Sequence, residues 1–312
     1  MSDPNYYLRS PKLMVVSTRS ALVFVREDGQ ARHISTPHVQ QWSLLLQKLA
    51  NPLPGPAVRQ LLDDAEVADA HWNRLVEEGY IHSAKDADTL QAEMESAFSD
   101  NQGFDFRPGP PQCTHLIVAC TGSIVAGLLA PTILSLLYSG FQETLDVILT
   151  ESAQKFVTRG LFEAYGIRTW SDAFERTDAI HVPHVQLGRS ADCLLVLPAT
   201  ANSLHRLAHA TCTDLLSIVV SVTRAPVIVS PAMNEAMWNH PAVQRNLQQL
   251  REDGVYVIEP TLIFGAADVA YQGSAMFGGH GSLWGGPRAL KATLTAVLAL
   301  HRSATRGTDS GN

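Results

Sequence analysis

Residues 193–203 read CLLVLPATANS. The stretch Cys193 to Leu197 is apolar at every position, the pattern of a strand buried on both faces, because a half-exposed strand alternates polar and apolar residues. Similar runs recur as HLIVAC (115–120), LDVILT (145–150), APVIVSPAM (225–233) and VYVIEP (255–260), with helical segments between them. Such alternation predicts an α/β fold built on a doubly wound parallel sheet. Ligands in these sheets bind at the carboxyl ends of the strands. Here those ends carry Thr121-Gly122-Ser123, Thr150-Glu151-Ser152, Pro198 to Asn202 and Pro231-Ala232-Met233-Asn234.

A chain of 312 residues with 46% apolar and 17% charged residues can bury a large core and a second, smaller one. The net charge of −7 leaves no electrostatic footprint for nucleic acid and disfavours acidic membrane surfaces. No signal peptide and no membrane-length apolar run is visible, and four cysteines without CxxC spacing fit a cytoplasmic protein with free thiols.

The amino-terminal part reads differently. LMVVST, ALVFV and ARHIS, with Asp28-Gly29 as a hairpin turn, predict a small antiparallel sheet. Helical patterns follow from the Thr36-Pro37 cap to Leu49, from Ala57 to Leu62 and from Val67 to Glu78. Residues 1–83 are therefore expected to form a compact α+β module of winged-helix type. Residues 84–112, ending in FRPGPPQ, are expected to be a linker, residues 113–302 the main domain, and 303–312 a disordered tail.

Three strand ends are rich in hydroxyls and small residues. Gly122 lets the backbone approach a ligand, while Thr121 and Ser123 stand where free helix N–H groups favour an anion. An ordinary capped turn explains that stretch alone equally well. Thr150, Ser152, Thr200, Asn202 and Ser203 converging on the same crevice favour a phosphate-bearing cofactor, and Phe156 could pack beside a ring. The sequence matches neither the P-loop nor GxGxxG. His205, His209 and Cys212 fall on one predicted helical face but offer too few firm ligands, so no metal is expected.

TGS, TESAQKF, HVQLGRSADCLLVLPATAN, CTDLL and PAMNEAMW, in this order, resemble the flavoprotein family of homo-oligomeric flavin-containing cysteine decarboxylases. That family includes lantibiotic peptidyl-cysteine decarboxylases and phosphopantothenoylcysteine decarboxylase. The resemblance covers about residues 113–300. It implies a flavodoxin-like fold, trimers or multiples of trimers, and FMN held by Gly122, Ser123, Ile124, Thr150, Ser152, Phe156, Thr200, Ala201, Asn202, Ser203 and Ala232. By the same resemblance His184 is the active-site histidine, whereas His181 falls outside that register. Asn234 is the second catalytic candidate, and Asn234, Met237, Trp238 and Ser274 are the candidate substrate contacts.

The chemistry so implied is oxidation of a C-terminal cysteine to a thioaldehyde, whose C=S group then accepts the electrons released as CO2 departs. His184 would handle protons, and Asn234 would grip a carboxylate with an uncharged amide. The plain alternatives are a loop histidine on the backbone, a turn asparagine, and core packing for Met233, Met237 and Trp238. Two departures stand out. Asp214 replaces the family's asparagine, and the Gly-rich segment 261–286, expected to be a mobile flap, contains no cysteine, whereas the coenzyme A pathway enzymes carry one there. Cys212 is expected to be a small buried residue.

Residues 1–83 resemble the leader-peptide-binding domains of enzymes that modify ribosomally made peptides, which add the leader as a strand to a sheet edge. A DNA-binding winged helix fits poorly, since those residues hold 8 Lys/Arg against 9 Asp/Glu. The expected activity is FMN-dependent oxidative decarboxylation of the C-terminal cysteine of a precursor peptide. The alternatives are phosphopantothenoylcysteine decarboxylase and a non-catalytic regulatory flavoprotein.

Overall fold

The computed structural model describes residues 6–99, 109–175, 177, 180–263, 279–281 and 286–309. The amino-terminal part comprises β1 (Tyr6–Arg9), β2 (Met14–Ser17), β3 (Ala21–Val25), β4 (Ala31–Ser35), α1 (Val39–Lys48), β5 (Leu53–Pro54), α2 (Gly55–Asp64), α3 (Asp69–Glu77), β6 (Ile81–Ala84) and α4 (Ala87–Ser99). The remainder begins with β7 (Cys113–Cys120), α5 (Leu129–Tyr138), β8 (Gln142–Leu149), α6 (Arg159–Glu163), β9 (Arg168–Trp170), α7 (Pro183–Ser190), β10 (Cys193–Ala199), α8 (Ala201–Ala208) and α9 (Leu215–Val222). It continues with β11 (Val227–Pro231), β12 (Met233–Asn234), α10 (Glu235–Trp238), α11 (Pro241–Glu252), β13 (Tyr256–Glu259), β14 (Thr261–Ile263), β15 (Gly279–Gly281) and α12 (Gly286–Asp309).

A nine-stranded sheet runs β4-β3-β2-β13-β11-β10-β7-β8-β9. The six strands from β13 to β9 are parallel. Apart from the three-residue edge strand β9, their order is 2-1-3-4-5, the flavodoxin-like arrangement. Chain order reverses between β7 and β10, and such a switch point opens a crevice beyond the carboxyl ends of the strands.

The apolar runs bury both faces as the sequence implied. In β7, Leu116, Val118 and Cys120 join one core cluster while Ile117 and Ala119 join the cluster on the opposite face. Ile133 and Leu136 of α5 and Leu294 and Val297 of α12 cover the first face. Leu187, Leu204, Val219 and Leu247, from α7, α8, α9 and α11, cover the second. Each fully buried side chain of this size contributes about 1.5–3 kcal/mol of transfer free energy, which makes the central strands the most rigid support available for a site.

The hairpin strands β2 and β3 do form, but not as a sheet of their own. β2 pairs antiparallel with β13, Val257 opposite Ser17 and Glu259 opposite Val15, so the amino-terminal strands extend the main sheet. Val15, Leu22 and Phe24 face Trp42, Leu45 and Leu75 of the amino-terminal helices, while Met14, Val16 and Val23 face the core beneath α12. The module's separate small sheet is β5-β1-β6. Thr36 acts two residues before α1, its hydroxyl accepting from His38 N at 3.1 Å, and the helix begins at Val39.

Two expected irregular stretches contain helix. The stretch read as a linker carries α4, anchored by Leu90 against Leu8, because its prolines lie beyond the helix. The tail expected to be disordered from Ser303 continues α12 to Asp309. Among the described residues no helix is long and apolar enough to cross a membrane.

Candidate functional site

The sheet order sets β8, β7, β10 and β11 side by side, so their carboxyl ends form one continuous rim. Successive ends are joined by hydrogen bonds. Thr150 N donates to Cys120 O at 3.1 Å, Thr121 Oγ1 donates to Pro198 O at 2.7 Å and accepts from Thr200 N at 3.0 Å, and Ala232 N donates to Ala199 O at 3.0 Å. Thr121, read from sequence as a ligand hydroxyl, is buried and spends its hydroxyl on these ties. It is a structural clamp between β7 and β10.

Gly122 lies where a Cβ would come within 2.3 Å of Ser152 Cβ, so any side chain at 122 would drive the ends of β7 and β8 apart. Ser123 Oγ accepts from Val125 N at 3.4 Å and starts the single turn Ile124–Leu128. Thr150 Oγ1 accepts from Ala153 N at 3.3 Å, and Ser152 is exposed beside Gly122. Thr200 caps α8, its hydroxyl accepting from Ser203 N at 3.3 Å and lying 3.0 Å from Ser203 Oγ. That leaves the first-turn amides of Ala201 and Asn202 without helical acceptors, an arrangement that favours an anion. Ala232 is buried, so the rim offers its backbone.

Apolar surface flanks this polar rim: Ile124 is 57% exposed and Phe156 46% exposed. Exposed apolar side chains beside a few fixed polar groups are what a ring-and-phosphate ligand requires. Cys120 is no reactive thiol at this end, since burial pushes it up to about 12.

His184 sits in the first turn of α7, half-buried, with Nδ1 3.4 Å from Ala173 O. The segment carrying Ala173 is held from beneath. Glu175 accepts from Ser171 N at 3.2 Å and from Arg159, and Trp170 Nε1 donates to Asp146 at 3.0 Å. Asp146 is fully buried and also meets His115 Nε2 at 2.6 Å and Arg168 Nη2 at 2.7 Å. Burial alone would raise its carboxyl, but the hydrogen bonds from His115 and Trp170 and the Arg168 charge hold it below its ordinary value.

Asn234 directly follows the rim. It is exposed, and its Oδ1 caps α10 by accepting from Ala236 N at 2.8 Å. Met237 is 48% exposed, in keeping with a surface contact. Trp238 fits the core-packing alternative: it is 0% exposed and packed with Leu247 in the core, so it anchors α10 and presents no surface of its own. Ser274 lies outside the described residues. Among the described residues no hydrogen bond joins His184 to Asn234 or to the rim.

The departures also find places. Asp214 caps α9 in a reciprocal box with Ser217 and pairs with Arg206 at 2.6 Å, so a carboxylate there serves the helix end. Cys212 is exposed rather than buried. His205 and His209 stack at 4.4 Å, and no cluster of potential metal ligands occurs among the described residues. A cavity of about 1040 Å3 lies at the opposite, amino ends of the strands, beside Cys113, Asp192 and Arg224, away from all these residues.

A doubly wound α/β protein with a small-residue, hydroxyl-bearing rim at its switch point belongs to the class that holds phosphate-bearing cofactors there. Residues 109–275 match the Flavoprotein family, and the chain belongs to it. The coenzyme A biosynthesis bifunctional protein CoaBC of Mycobacterium tuberculosis (strain ATCC 25618 / H37Rv) is 40% identical over 147 residues, covering 47% of this chain and 34% of that protein. The chain thus matches about a third of the length of such curated relatives. A PPC decarboxylase variant complexed with pantothenoylaminoethenethiol superposes with a TM-score of 0.50 at 23% identity, covering 61% of this chain and 98% of that one, a likeness of fold. The FMN-dependent cysteine decarboxylase SpaF gives a TM-score of 0.49 at 29% identity, covering 60% and 97%.

The rim fits a flavin nucleotide, the kind of group that the family's description denotes. The close backbone approach at Gly122, the hydroxyls of Ser123, Thr150 and Ser152, the amides opening α8, and Ile124 and Phe156 provide for an anionic end and an apolar ring.

Proposed function

We propose that the protein is an FMN-dependent oxidative decarboxylase acting on the C-terminal cysteine of a ribosomally made precursor peptide, as a homo-oligomer built from trimers. The observation that carries this reading is the placement of Asn234 immediately beyond the cofactor rim, exposed and fixed by its cap at 2.8 Å. An amide so held can donate to a carboxylate without adding charge, suiting a group that must leave as neutral CO2. His184, in the first turn of α7, supplies an imidazole able to take and return the thiol proton.

FMN, when bound, supplies the acceptor for the hydride, one hydrogen with its two electrons, that leaves the cysteine Cβ as the thiol gives up its proton. The chain's own residues orient thiol and carboxylate against it and move protons. Atoms balance as peptide-cysteine giving CO2, an enethiol and two hydrogens transferred to the flavin. Because segment 261–286 contains no cysteine, the reaction is expected to stop at the enethiol, and the reduced flavin is reoxidised separately, by oxygen. The β5-β1-β6 sheet and its three helices are the proposed seat of the precursor's leader.

A second reading is favoured by the 40% identity to the CoaBC proteins: decarboxylation of phosphopantothenoylcysteine. One experiment separates the two. Purified flavoprotein is incubated with peptides ending in cysteine and, in parallel, with phosphopantothenoylcysteine, and products are followed by mass. A loss of about 46 Da from a peptide, CO2 plus two hydrogens, is the expected result. Turnover of phosphopantothenoylcysteine with inert peptides would overturn the peptide reading.

A further inference from the structure

We infer that Arg9, in the amino-terminal module, is a positioning residue for the substrate side of the strand-end site, acting through the junction between β13 and β14. What the site does rests on the reading above; the coupling itself rests on the following geometry.

Arg9 is only 3% exposed, unusual for a guanidinium, and its two terminal nitrogens find acceptors while the buried Nε finds none among the described residues. Nη1 donates to Pro260 O at 3.3 Å, and Nη2 donates to Leu13 O at 3.0 Å, with Glu259 O at 3.5 Å. Glu259, 1% exposed, accepts in turn from Arg251 Nη2 at 2.7 Å and from Ser17 Oγ, and Arg251 Nε donates to Ser17 Oγ at 2.7 Å. Two guanidinium groups, from β1 and from α11, thus converge on residues 259 and 260. Burial draws Arg9 down to about 10, with Glu259 pulling it back up, so it stays protonated at neutral pH.

That junction is one peptide from the site's own scaffold. β14 starts at Thr261, and its residues pair with β15 as Leu262 with His280 and Ile263 with Gly279. β15 pairs on its other edge with β12, His280 with Met233 and Gly279 with Asn234. A displacement of Pro260 therefore reaches the backbone of Asn234 through a single three-stranded sheet. Arg9 is itself firmly placed: its N–H donates to Leu49 O at 2.7 Å, and β1 is the central strand between β5 and β6.

None of these contacts touches the ends of β7, β8 or β10. The Arg9 contacts run to the side that carries Asn234 and not to the ends of β7, β8 or β10. An apolar side chain could fill the same space at no electrostatic cost, but it would not hold two carbonyls at set distances, which is what a planar fork does.

The test is amide hydrogen exchange on the full-length, FMN-loaded protein and its Arg9→Gln and Arg9→Lys variants. In Arg9→Gln, amides of residues 233–234, 261–263 and 279–281 should exchange about tenfold faster or more, while those of β7 and β10 stay unchanged and the flavin remains bound. Arg9→Lys, which keeps the charge but not the fork, should fall between, and it carries the test if Arg9→Gln does not fold. Unchanged exchange in β12, β14 and β15, or equal acceleration in β7 and β10, would overturn the inference. With a substrate in hand, Arg9→Lys should raise KM more than it lowers kcat, a split that general destabilisation does not give. Since exchange is read without turnover, loss of the decarboxylase reading would leave this result standing, and the reverse also holds.

Discussion

The two halves of the strand-end site are held in different ways. On the cofactor side, the ends of β7, β8, β10 and β11 are tied to one another at 2.7–3.1 Å and rest on fully buried strands. On the proposed substrate side, His184 sits on a helix of 8 residues with a contact of 3.4 Å, and Asn234 ends β12, exposed as the cap of a helix of 4 residues. The proposed cradle is preorganised by the sheet, whereas the proposed reactive groups depend on neighbours added around it. Substitutions on the two sides should therefore separate flavin binding from chemistry.

The largest expected effect is on the substrate side. His184→Asn keeps much of the size and hydrogen-bonding ability of the side chain but removes its capacity to carry a proton to and fro. It should lower kcat by about 100- to 10,000-fold, the range for loss of a general acid or base, with flavin absorbance unchanged. Full activity would show that the proton is handled elsewhere. On the cofactor side, Gly122→Val forces two strand ends apart, since even a Cβ would lie 2.3 Å from Ser152 Cβ. At about 1–3 kcal/mol for such overpacking, FMN affinity should fall roughly 5- to 150-fold, measured by fluorescence titration of the apoprotein. If that variant binds FMN normally, the rim at Gly122 is not the cradle.

The same contrast explains what could be read from sequence. The central strands were legible because apolar side chains buried on both faces leave an unbroken run, and the strand-end rim was legible because hydroxyl and glycine positions follow those runs directly. Thr121 was misread because a strand-end hydroxyl looks alike whether it faces a ligand or, as here, bridges Pro198 O and Thr200 N. Trp238 was open to two readings for a related reason: four residues of helix place Met237 outward and Trp238 inward, and so short an element shows no periodicity. The union of β2 with β13 was invisible, because strands 240 residues apart carry no local mark of pairing. The support beneath His184 was equally hidden, since Asp146 sits inside an apolar run and acquires its partners from β7 and β9 only in three dimensions.

Asp146 therefore offers a way to disturb the substrate side from below without touching either reactive group. Asp146→Asn removes the charge and one of the two acceptor oxygens, Oδ2 serving His115 and Arg168 and Oδ1 serving Trp170, and should cost about 1–3 kcal/mol of stability, read as a lowered denaturation midpoint. The pH dependence has a definite sign. The wild-type carboxyl is held below its ordinary 3.8, so its contribution is fully present above that value and is lost as pH falls through its folded-state value. The wild type should thus lose stability below about pH 4 more steeply than the variant. Parallel acid profiles would mean that the buried carboxylate does not bind its proton differently in the two states.

The smallest effect belongs to Thr200, where cap and cofactor roles overlap. Thr200→Ala deletes the hydroxyl that accepts from Ser203 N at 3.3 Å and loosens the first turn of α8, costing about 1 kcal/mol. Thr200→Ser keeps the acceptor and should restore that loss. If the hydroxyl serves only the helix, FMN affinity follows stability across both variants, because the amides of Ala201 and Asn202 are positioned by the cap. If it also meets the cofactor, Thr200→Ala loses affinity beyond what the lost stability explains, and Thr200→Ser recovers it. Comparing melting midpoints with flavin titrations for the two variants separates these outcomes, and equal affinity in wild type and Thr200→Ala would remove position 200 from the cradle altogether.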